Sequence, residues 1–220
     1  MKLKERKAFT MKVMDYFREH NRPMPWRDDP SPYFVFVSEI MLQQTQVDRV
    51  LGMFPPFVKR FPDFRSLAEA PLSDVYALWK GLGYNRRAKY LRDAAKIIVT
   101  EFAGRLPDSP ESLVTLPGIG RNTAAAMIVY AYNTPVPYVE TNIRTVYIHH
   151  FFDDRDDVSD AEILALVEET IDTESPREWF WALMDYGTHL KKTAGNASRR
   201  SRAYRTQSSF AGSDRKIRGL

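Results

Sequence analysis

The sequence of 220 residues predicts an all-α fold. Apolar residues recur at the three- and four-residue spacing of helices in one segment after another, whereas the strict apolar–polar alternation of half-buried strands is sparse. Serine, proline and glycine stand at short intervals where helices begin and end, so the helices should be short and numerous. Neither an internal repeat nor a long linker interrupts this pattern.

Four helices are predicted in the first half of the chain. The first places Phe9, Val13 and Phe17 on one face, and several prolines separate it from the second. Pro32 suits the first turn of the second helix, where its missing N–H is not needed, and Gly104 ends the fourth. The predicted bounds are 7–20, 32–54 with Ser31 as N-cap, 74–80 with Ser73 as N-cap, and 85–103.

Five helices are predicted in the second half. Ser109-Pro110 opens the first of them, and Ser159 caps the fourth, because a serine side chain accepts a hydrogen bond from the first turn. The predicted bounds are 110–116, 121–132, 141–152, 160–172 and 176–191.

A tight turn, Leu116-Pro117-Gly118-Ile119-Gly120, joins two of these helices. Its glycines allow positive φ and leave no Cβ to block the approach of another backbone. The amides that follow lie at a helix N-terminus, which is a ready site for an anion, with Arg121 and Thr123 beside it. A bare Pro-Gly-x-Gly turn suits an ordinary helix connection equally well, but the surrounding sequence favours phosphate binding without base readout.

Two acidic residues stand out because their surroundings are apolar. Glu39 shares the spacing i, i+4 and i+7 with Gln43 and Gln46, which predicts one polar face on the helix over 32–54. A glutamate on a helix surface is the ordinary interpretation, and general acid chemistry is the alternative. Glu140 follows the apolar segment 136–139, and its position suits a helix N-terminal acid and a catalytic carboxylate about equally well.

Six motifs follow one another over about residues 20–190. They are Pro25-Trp26-Arg27, S-E-I-M-L-Q-Q-T-Q-V at 38–47, L-W-K-G-L-G-Y at 78–84, the turn at 116–120, E-T-N-I-R-T-V at 140–146 and M-D-Y-G at 184–187. In these motifs and their order the chain resembles the helix-hairpin-helix DNA glycosylases, and among them most of all the adenine DNA glycosylases. The ten-residue motif is too long and specific to arise by chance.

The resemblance implies two helical lobes with a cleft between them. Residues 1–29 and 139–190 would form one lobe, residues 30–138 with the hairpin at 116–120 the other, and residues 191–220 a basic tail. The cleft would take a nucleotide flipped out of the duplex. It implies that Glu39, held protonated in an apolar pocket, donates a proton to N7 of the departing adenine.

The position of Glu140 is normally occupied by aspartate in the family. That acid stabilises the oxocarbenium-like sugar and helps deliver water, as in glycoside hydrolysis. A glutamate moves the carboxylate by roughly 1 Å, a displacement that can cost about a hundredfold in rate unless the site has adjusted. The remaining residues that the resemblance assigns to substrate or DNA binding are Gln43, Gln44, Tyr84, Arg27, Pro117, Gly118, Ile119, Gly120, Arg121, Asn122, Thr123, Asn142 and Arg144.

Other departures from the family bear on the reaction and the cofactors. Asn122 stands where lyase-competent relatives have lysine, and an amide forms no Schiff base, so simple hydrolysis is expected. The chain has no cysteine, whereas relatives usually hold a [4Fe–4S] cluster with four, so neither this cluster nor another metal site is expected. The resemblance allows a monovalent cation at the hairpin. The C-terminal domain that recognises 8-oxoguanine in many relatives is expected to be absent.

The charge is distributed unevenly along the chain. Residues 186–220 contain nine Lys and Arg against one acid, which makes this segment +8, while the whole chain is +4 and residues 1–185 are −4. Such a basic segment suits either binding to the phosphate backbone or a solubilising tail. With the family in view, the basic residues from Lys191 to Arg205 are expected to take over the DNA contacts of the missing cluster loop.

The sequence therefore predicts a monofunctional glycosylase of base excision repair, a monomer that removes adenine opposite 8-oxoguanine or guanine in double-stranded DNA. A thymine or uracil mismatch glycosylase on the same fold and a non-catalytic damage-binding protein are the alternatives. No apolar span long enough for a membrane and no signal core is visible, so a cytoplasmic, nucleoid-associated location is expected.

Overall fold

The computed structural model describes residues 2–153 and 155–205. In these ranges it contains twelve α-helices, one 3₁₀ turn and a single parallel β-bridge between Val158 and Ser201, so the predicted all-α fold is confirmed. The helices are α1 (Leu3–His20), α2 (Pro25–Asp28), α3 (Pro32–Leu42), α4 (Val47–Arg60), α5 (Phe64–Glu69), α6 (Leu72–Trp79), α7 (Arg86–Glu101), α8 (Pro110–Leu113), α9 (Arg121–Tyr132), α10 (Thr141–Phe151), α11 (Asp160–Thr170) and α12 (Pro176–Thr193), followed by η1 (Ala197–Arg200).

Local capping determines several of these boundaries. Ser109 accepts a hydrogen bond from the backbone N–H of Ser112 at the start of α8. Ser159 and Glu162 form a reciprocal capping box at the start of α11. Asn133 ends α9 in the left-handed conformation that asparagine tolerates. These caps lie within a few residues of the helices that they end, which is why sequence patterns predict them well.

The predicted continuous helix over 32–54 is wrong. Helix α3 ends at Leu42, α4 begins at Val47, and Gln44 between them has a φ of +54°. Gln43 is the C-cap of α3 and Gln46 the N-cap of α4, so these glutamines do not share a helix face with Glu39. The reason is the guanidinium of Arg87, which binds carbonyls at the end of α3 that a continuing helix would use.

The predicted cap at Ser73 is also wrong, and three short elements were not predicted. Helix α6 begins at Leu72 after Pro71, so Ser73 lies within its first turn. The unpredicted elements are α2, α5 and η1. Of these, α5 carried a readable signal, because Asp63 and Ser66 form its capping box.

The helices pack in two groups around a continuous apolar core. In one group, α1 packs on α12, and α10 packs on α12, α11 and η1. In the other, α5 and α6 pack on α7, and α3 packs on α9 and α4. Helix α9 also contacts α12, and buried residues from both groups form one cluster. These contacts are compatible with the predicted lobes, 1–29 with 139–190 and 30–138, and that division stays a prediction.

Among the described helices, none is both long enough and apolar enough to cross a membrane.

Candidate active site and DNA-binding surface

Glu39 lies in the last full turn of α3 and lines a small cavity. The space open to water-sized molecules is about 50 Å³, room for a few waters. Aromatic and apolar side chains make up most of the wall, among them Trp26, Tyr130, Trp181 and Met184. None of the described residues forms a hydrogen bond with the Glu39 carboxyl group.

This environment favours the neutral form of Glu39. Burial, with a smaller contribution from the negative charge of Glu140, raises the pKa of Glu39 to about 8. At neutral pH the carboxyl group therefore keeps its proton, as a general acid requires. The contribution from Glu140 also indicates that the two acidic residues, 101 positions apart in the chain, lie close enough to interact electrostatically.

Glu140 is the N-cap of α10, and its carboxylate is held by the backbone. Oε1 accepts hydrogen bonds from the amides of Asn142 (2.5 Å) and Ile143 (2.9 Å). Burial raises the pKa of Glu140, whereas these amides and the positive charges of Lys191 and Arg144 oppose the rise. The helix-cap interpretation and the active-site interpretation are therefore both compatible with its position.

The two carboxyl groups have different environments, and this difference separates their chemistry. Glu39 has an apolar pocket and no donor, whereas Glu140 has two amide donors and nearby cations. A neutral acid near a second carboxyl group that accepts backbone hydrogen bonds is an arrangement that glycosidic bond cleavage can use.

Two tyrosines lie near the carboxyl groups, and one of them, Tyr130, lines the cavity. The hydroxyls of Tyr130 and Tyr138 lie 2.9 Å apart, and both side chains are buried. Burial raises the pKa of each, and the charges of Glu39 and Glu140 raise it further, so both hydroxyls stay protonated. Tyr130 was not among the site residues predicted from the sequence. The available signal was a tyrosine hydroxyl within the apolar segment 124–131 of α9.

Arg27, expected to bind substrate or DNA, lies in the cavity wall with its charge already paired. Its guanidinium donates to both carboxylate oxygens of Asp185, at 2.8 and 3.0 Å, and lies 5.4 Å from the Trp181 ring centroid. Arg22 Nε donates to the same carboxylate at 2.6 Å. The Asp185 side chain is only 1% exposed, so this buried ion pair joins α2 to α12 and fixes one side of the cavity.

The hairpin at 116–120 places two glycines before the N-terminus of α9. Gly118 has a φ of +78°, and a Cβ there would lie 3.0 Å from Tyr90. Gly120 is the N-cap of α9, so the first amides of that helix are directed out of its N-terminus. Pro117 is half-buried and Thr123 is partly covered, while Arg121 is exposed.

Two hairpin residues differ from the expected DNA contacts. The Ile119 side chain is buried, so only its backbone can meet a phosphate. Asn122 Nδ2 donates to the carbonyl of Val139 at 2.7 Å, which ties α9 to the residue before Glu140.

Gln43 connects the hairpin to the end of α3. Its Nε2 donates to the carbonyl oxygen of Gly118 (3.1 Å) and to Oγ1 of Thr123 (3.3 Å). The side chain therefore binds the hairpin in this structure, and its neighbour Gln44 is exposed. The resemblance predicted that both glutamines bind substrate or DNA, and that role stays a prediction.

Arg87 holds the two loops that carry Gln44 and Tyr84. One guanidinium nitrogen donates to three carbonyls at the end of α3, and the other donates to Thr45 Oγ1 and to two carbonyls of the turn before Tyr84. Tyr84, with a φ of +50°, presents its ring 5.4 Å from the guanidinium and is 42% exposed. The role of Arg87 was not predictable from the sequence, because its partners lie up to 47 residues away.

Asn142 and Arg144, the two α10 residues predicted to bind substrate or DNA, form hydrogen bonds within the protein. The Asn142 side chain accepts from Lys191 Nζ at 2.8 Å. Arg144 forms two hydrogen bonds of 2.8 Å with Asp160, so its guanidinium is committed to the α10–α11 contact.

Part of the basic segment is likewise used internally. Arg200 donates to the carbonyl of Phe152 at 2.6 Å beyond the end of α10, and Arg202 donates to Asp157 at 2.8 Å. The prediction that residues 191–205 contact DNA therefore has to exclude these two guanidinium groups. The predicted tail continues to residue 220, and 206–220 lie outside the described residues.

The chain has no cysteine, and the described residues contain no group of three or more His, Cys, Asp or Glu placed to hold a metal ion.

Comparison with known proteins connects this geometry to a family. Residues 37–171 match the model of the HhH-GPD superfamily of base excision DNA repair proteins. The adenine DNA glycosylase of Mycolicibacterium smegmatis is 32% identical over 95% of this chain and 77% of its own length. That of Buchnera aphidicola subsp. Baizongia pistaciae is 34% identical over 82% of this chain and 52% of its own length.

The chain spans about half the length of several curated relatives that it matches. Among solved structures, a thermostable thymine-DNA glycosylase superposes with a TM-score of 0.74 at 24% identity, over 84% of this chain and 86% of the other. At that identity the likeness shows the fold alone.

Proposed function

The chain belongs to the HhH-GPD superfamily of base excision DNA repair proteins, and from this premise we propose that it is a monofunctional DNA glycosylase that removes adenine opposite 8-oxoguanine or guanine. The observation that carries the proposal is the pair of neighbouring acids, Glu39 neutral in an apolar cavity and Glu140 held by backbone amides. The preference for adenine comes from relatives named adenine DNA glycosylases at 32 and 34% identity.

The chemistry follows from the two environments. Adenine is a poor leaving group as an anion, so Glu39 donates its proton to N7 while the bond between base and sugar breaks. Positive charge then develops on the sugar, and the ionised Glu140 stabilises it and accepts a proton from the attacking water. Neutral adenine and an abasic site are the products, and no amine at Asn122 diverts the reaction into a Schiff base.

The DNA-binding part of the proposal uses three surface features. The hairpin amides and Arg121 would bind phosphates, and the exposed side chains of Gln44 and Tyr84 would occupy the duplex beside the extruded nucleotide. Arg87 keeps both side chains in place by holding their loops. The expected form is a monomer that acts on double-stranded DNA of the nucleoid.

A panel of duplexes tests the proposal. Each carries adenine, thymine or uracil opposite guanine or 8-oxoguanine, and abasic sites are scored by alkaline cleavage after incubation with the enzyme. We expect strand cleavage at adenine alone. Cleavage at thymine or uracil without cleavage at adenine would replace adenine by the other base, and retarded duplexes without abasic sites would indicate a binding protein.

A further inference from the structure

The side chain of Lys191 is directed towards the protein interior, whereas that of Lys192 is exposed to solvent. Lys191 stands near the end of α12, and its Nζ donates to Oδ1 of Asn142 at 2.8 Å. One turn earlier, Gly187 lets α12 lie directly on the start of α10, because a Cβ there would be 2.6 Å from the carbonyl oxygen of Asn142. The fold has therefore brought a lysine against the first turn of the helix that Glu140 caps.

The Asn142 amide is fixed between two groups of α12. Its oxygen accepts from Lys191, and its Nδ2 faces the sulfur of Met184 at 3.8 Å. Met184 also lines the cavity that contains Glu39. The side chain of Lys191 is therefore linked through one amide to the wall of the candidate active site.

The charges around Glu140 make Lys191 distinctive. On α10, the helix that Glu140 caps, Arg144 is close to Glu140 but is bound to Asp160. From α3, Glu39 faces Glu140 as a neutral acid, and from α9 and the segment before α10 come the neutral hydroxyls of Tyr130 and Tyr138. Lys191 comes from α12 and forms no ion pair with any described carboxylate, so its charge acts on Glu140 through space.

We propose that Lys191 is a positioning residue of the active site, whose ammonium group holds the Asn142 amide and keeps the Glu140 carboxylate ionised. This inference rests on the proposed glycosylase activity. It assigns Lys191 a role within the protein, in place of the phosphate contact that the sequence predicted for it.

The test is the pH dependence of single-turnover base release by wild type and three variants. Lys191→Met removes the charge, Lys192→Met removes the same charge from the exposed neighbour, and Lys191→Arg keeps it. Without Lys191, Glu140 must lose its proton with less electrostatic help, so the acid limb of the profile should move upward by about one pH unit. The acid limbs of Lys192→Met and Lys191→Arg should stay at the wild-type position on the pH axis, even if Lys192→Met lowers the rate by the same factor at every pH through a lost DNA contact.

Each outcome decides between alternatives. A Lys191→Met profile that superimposes on wild type, or a loss of rate that is equal at every pH, would overturn the proposed electrostatic role. If Lys191→Met fails to fold, Lys191→Gln takes its place, because it has no charge yet retains a donor for Asn142, and the same upward shift is expected. A wild type that releases no base from any duplex would instead refute the proposed function.

Discussion

Replacing Glu39 by glutamine should make the protein more stable at neutral and alkaline pH. The fold keeps this carboxyl group in an apolar cavity where no described residue forms a hydrogen bond with it. Its pKa is about 8 in the fold against 4.5 for the unperturbed group. Folding therefore binds a proton between these two pH values, so the free energy of unfolding falls as pH rises from 4.5 and levels off above 8. Glutamine has the same shape and does not ionise, so its contribution to the free energy of unfolding does not fall as pH rises.

The size of the effect follows from the two pKa values. At about 1.4 kcal/mol per pH unit, the cost removed by glutamine is below about 1 kcal/mol at pH 5 and about 3 kcal/mol at pH 7. The side chain is not fully enclosed, and water screens part of this energy, so we expect about 2 kcal/mol at pH 7. For a chain of this size that is a rise in Tm of about 4–8 °C.

Thermal unfolding of wild type and Glu39→Gln at pH 5 and pH 8 measures this difference. The matched control is Glu101→Gln, which changes an exposed glutamate at the end of α7 and should leave Tm nearly unchanged at both pH values. A Glu39→Gln variant without added stability at pH 8, or with an advantage that is equal at pH 5, would refute the assignment of Glu39 as a buried, protonated acid.

Three further predictions follow from the same geometry. Base release by the wild type should fall about tenfold per pH unit above pH 8, where Glu39 loses its proton; a rate that stays flat to pH 10 would contradict this. Glu140→Gln should slow single-turnover release by at least about a thousandfold, and Glu140→Asp should also be slower, because its shorter carboxylate retreats from the amides that hold it. A faster Glu140→Asp would mean that the site has not adapted to glutamate. Arg87→Lys should lower the free energy of unfolding in urea by about 2–4 kcal/mol, because an ammonium cannot serve two loops, and an unchanged urea midpoint would contradict that role.

Local signals account for the part of the fold that sequence analysis predicted well. Helix α9 has the predicted bounds of 121–132, and α11 begins after Ser159 as expected. In each case the residues that end the helix lie beside it in the chain. The break at residues 43–46 was not predictable in this way, because the Arg87 guanidinium that stabilises it comes from a helix 44 residues further on.

In the candidate site, too, local motifs predicted which residues matter, whereas their environments depend on residues that are distant in sequence. Motifs identified Glu39 and Glu140, but the raised pKa of Glu39 depends on a cavity formed by residues far apart in sequence. The positive charge of Arg27 is likewise visible in the sequence, but its neutralisation by Asp185 is visible only in the fold. Lys191 was assigned to a basic tail, and only the packing of α12 on α10 turns it inward.

The most direct test of the two-carboxylate site is single-turnover release of adenine from a duplex with adenine opposite 8-oxoguanine, at pH 7, by wild type and Glu39→Gln. Affinity for the same duplex is measured in parallel by electrophoretic mobility shift. We expect adenine release by the wild type, none by Glu39→Gln, and affinities that agree within a few-fold, because the amide keeps the shape but has no acidic proton. Release by Glu39→Gln at the wild-type rate, or binding by the wild type without release, would contradict the assignment of Glu39 as the general acid.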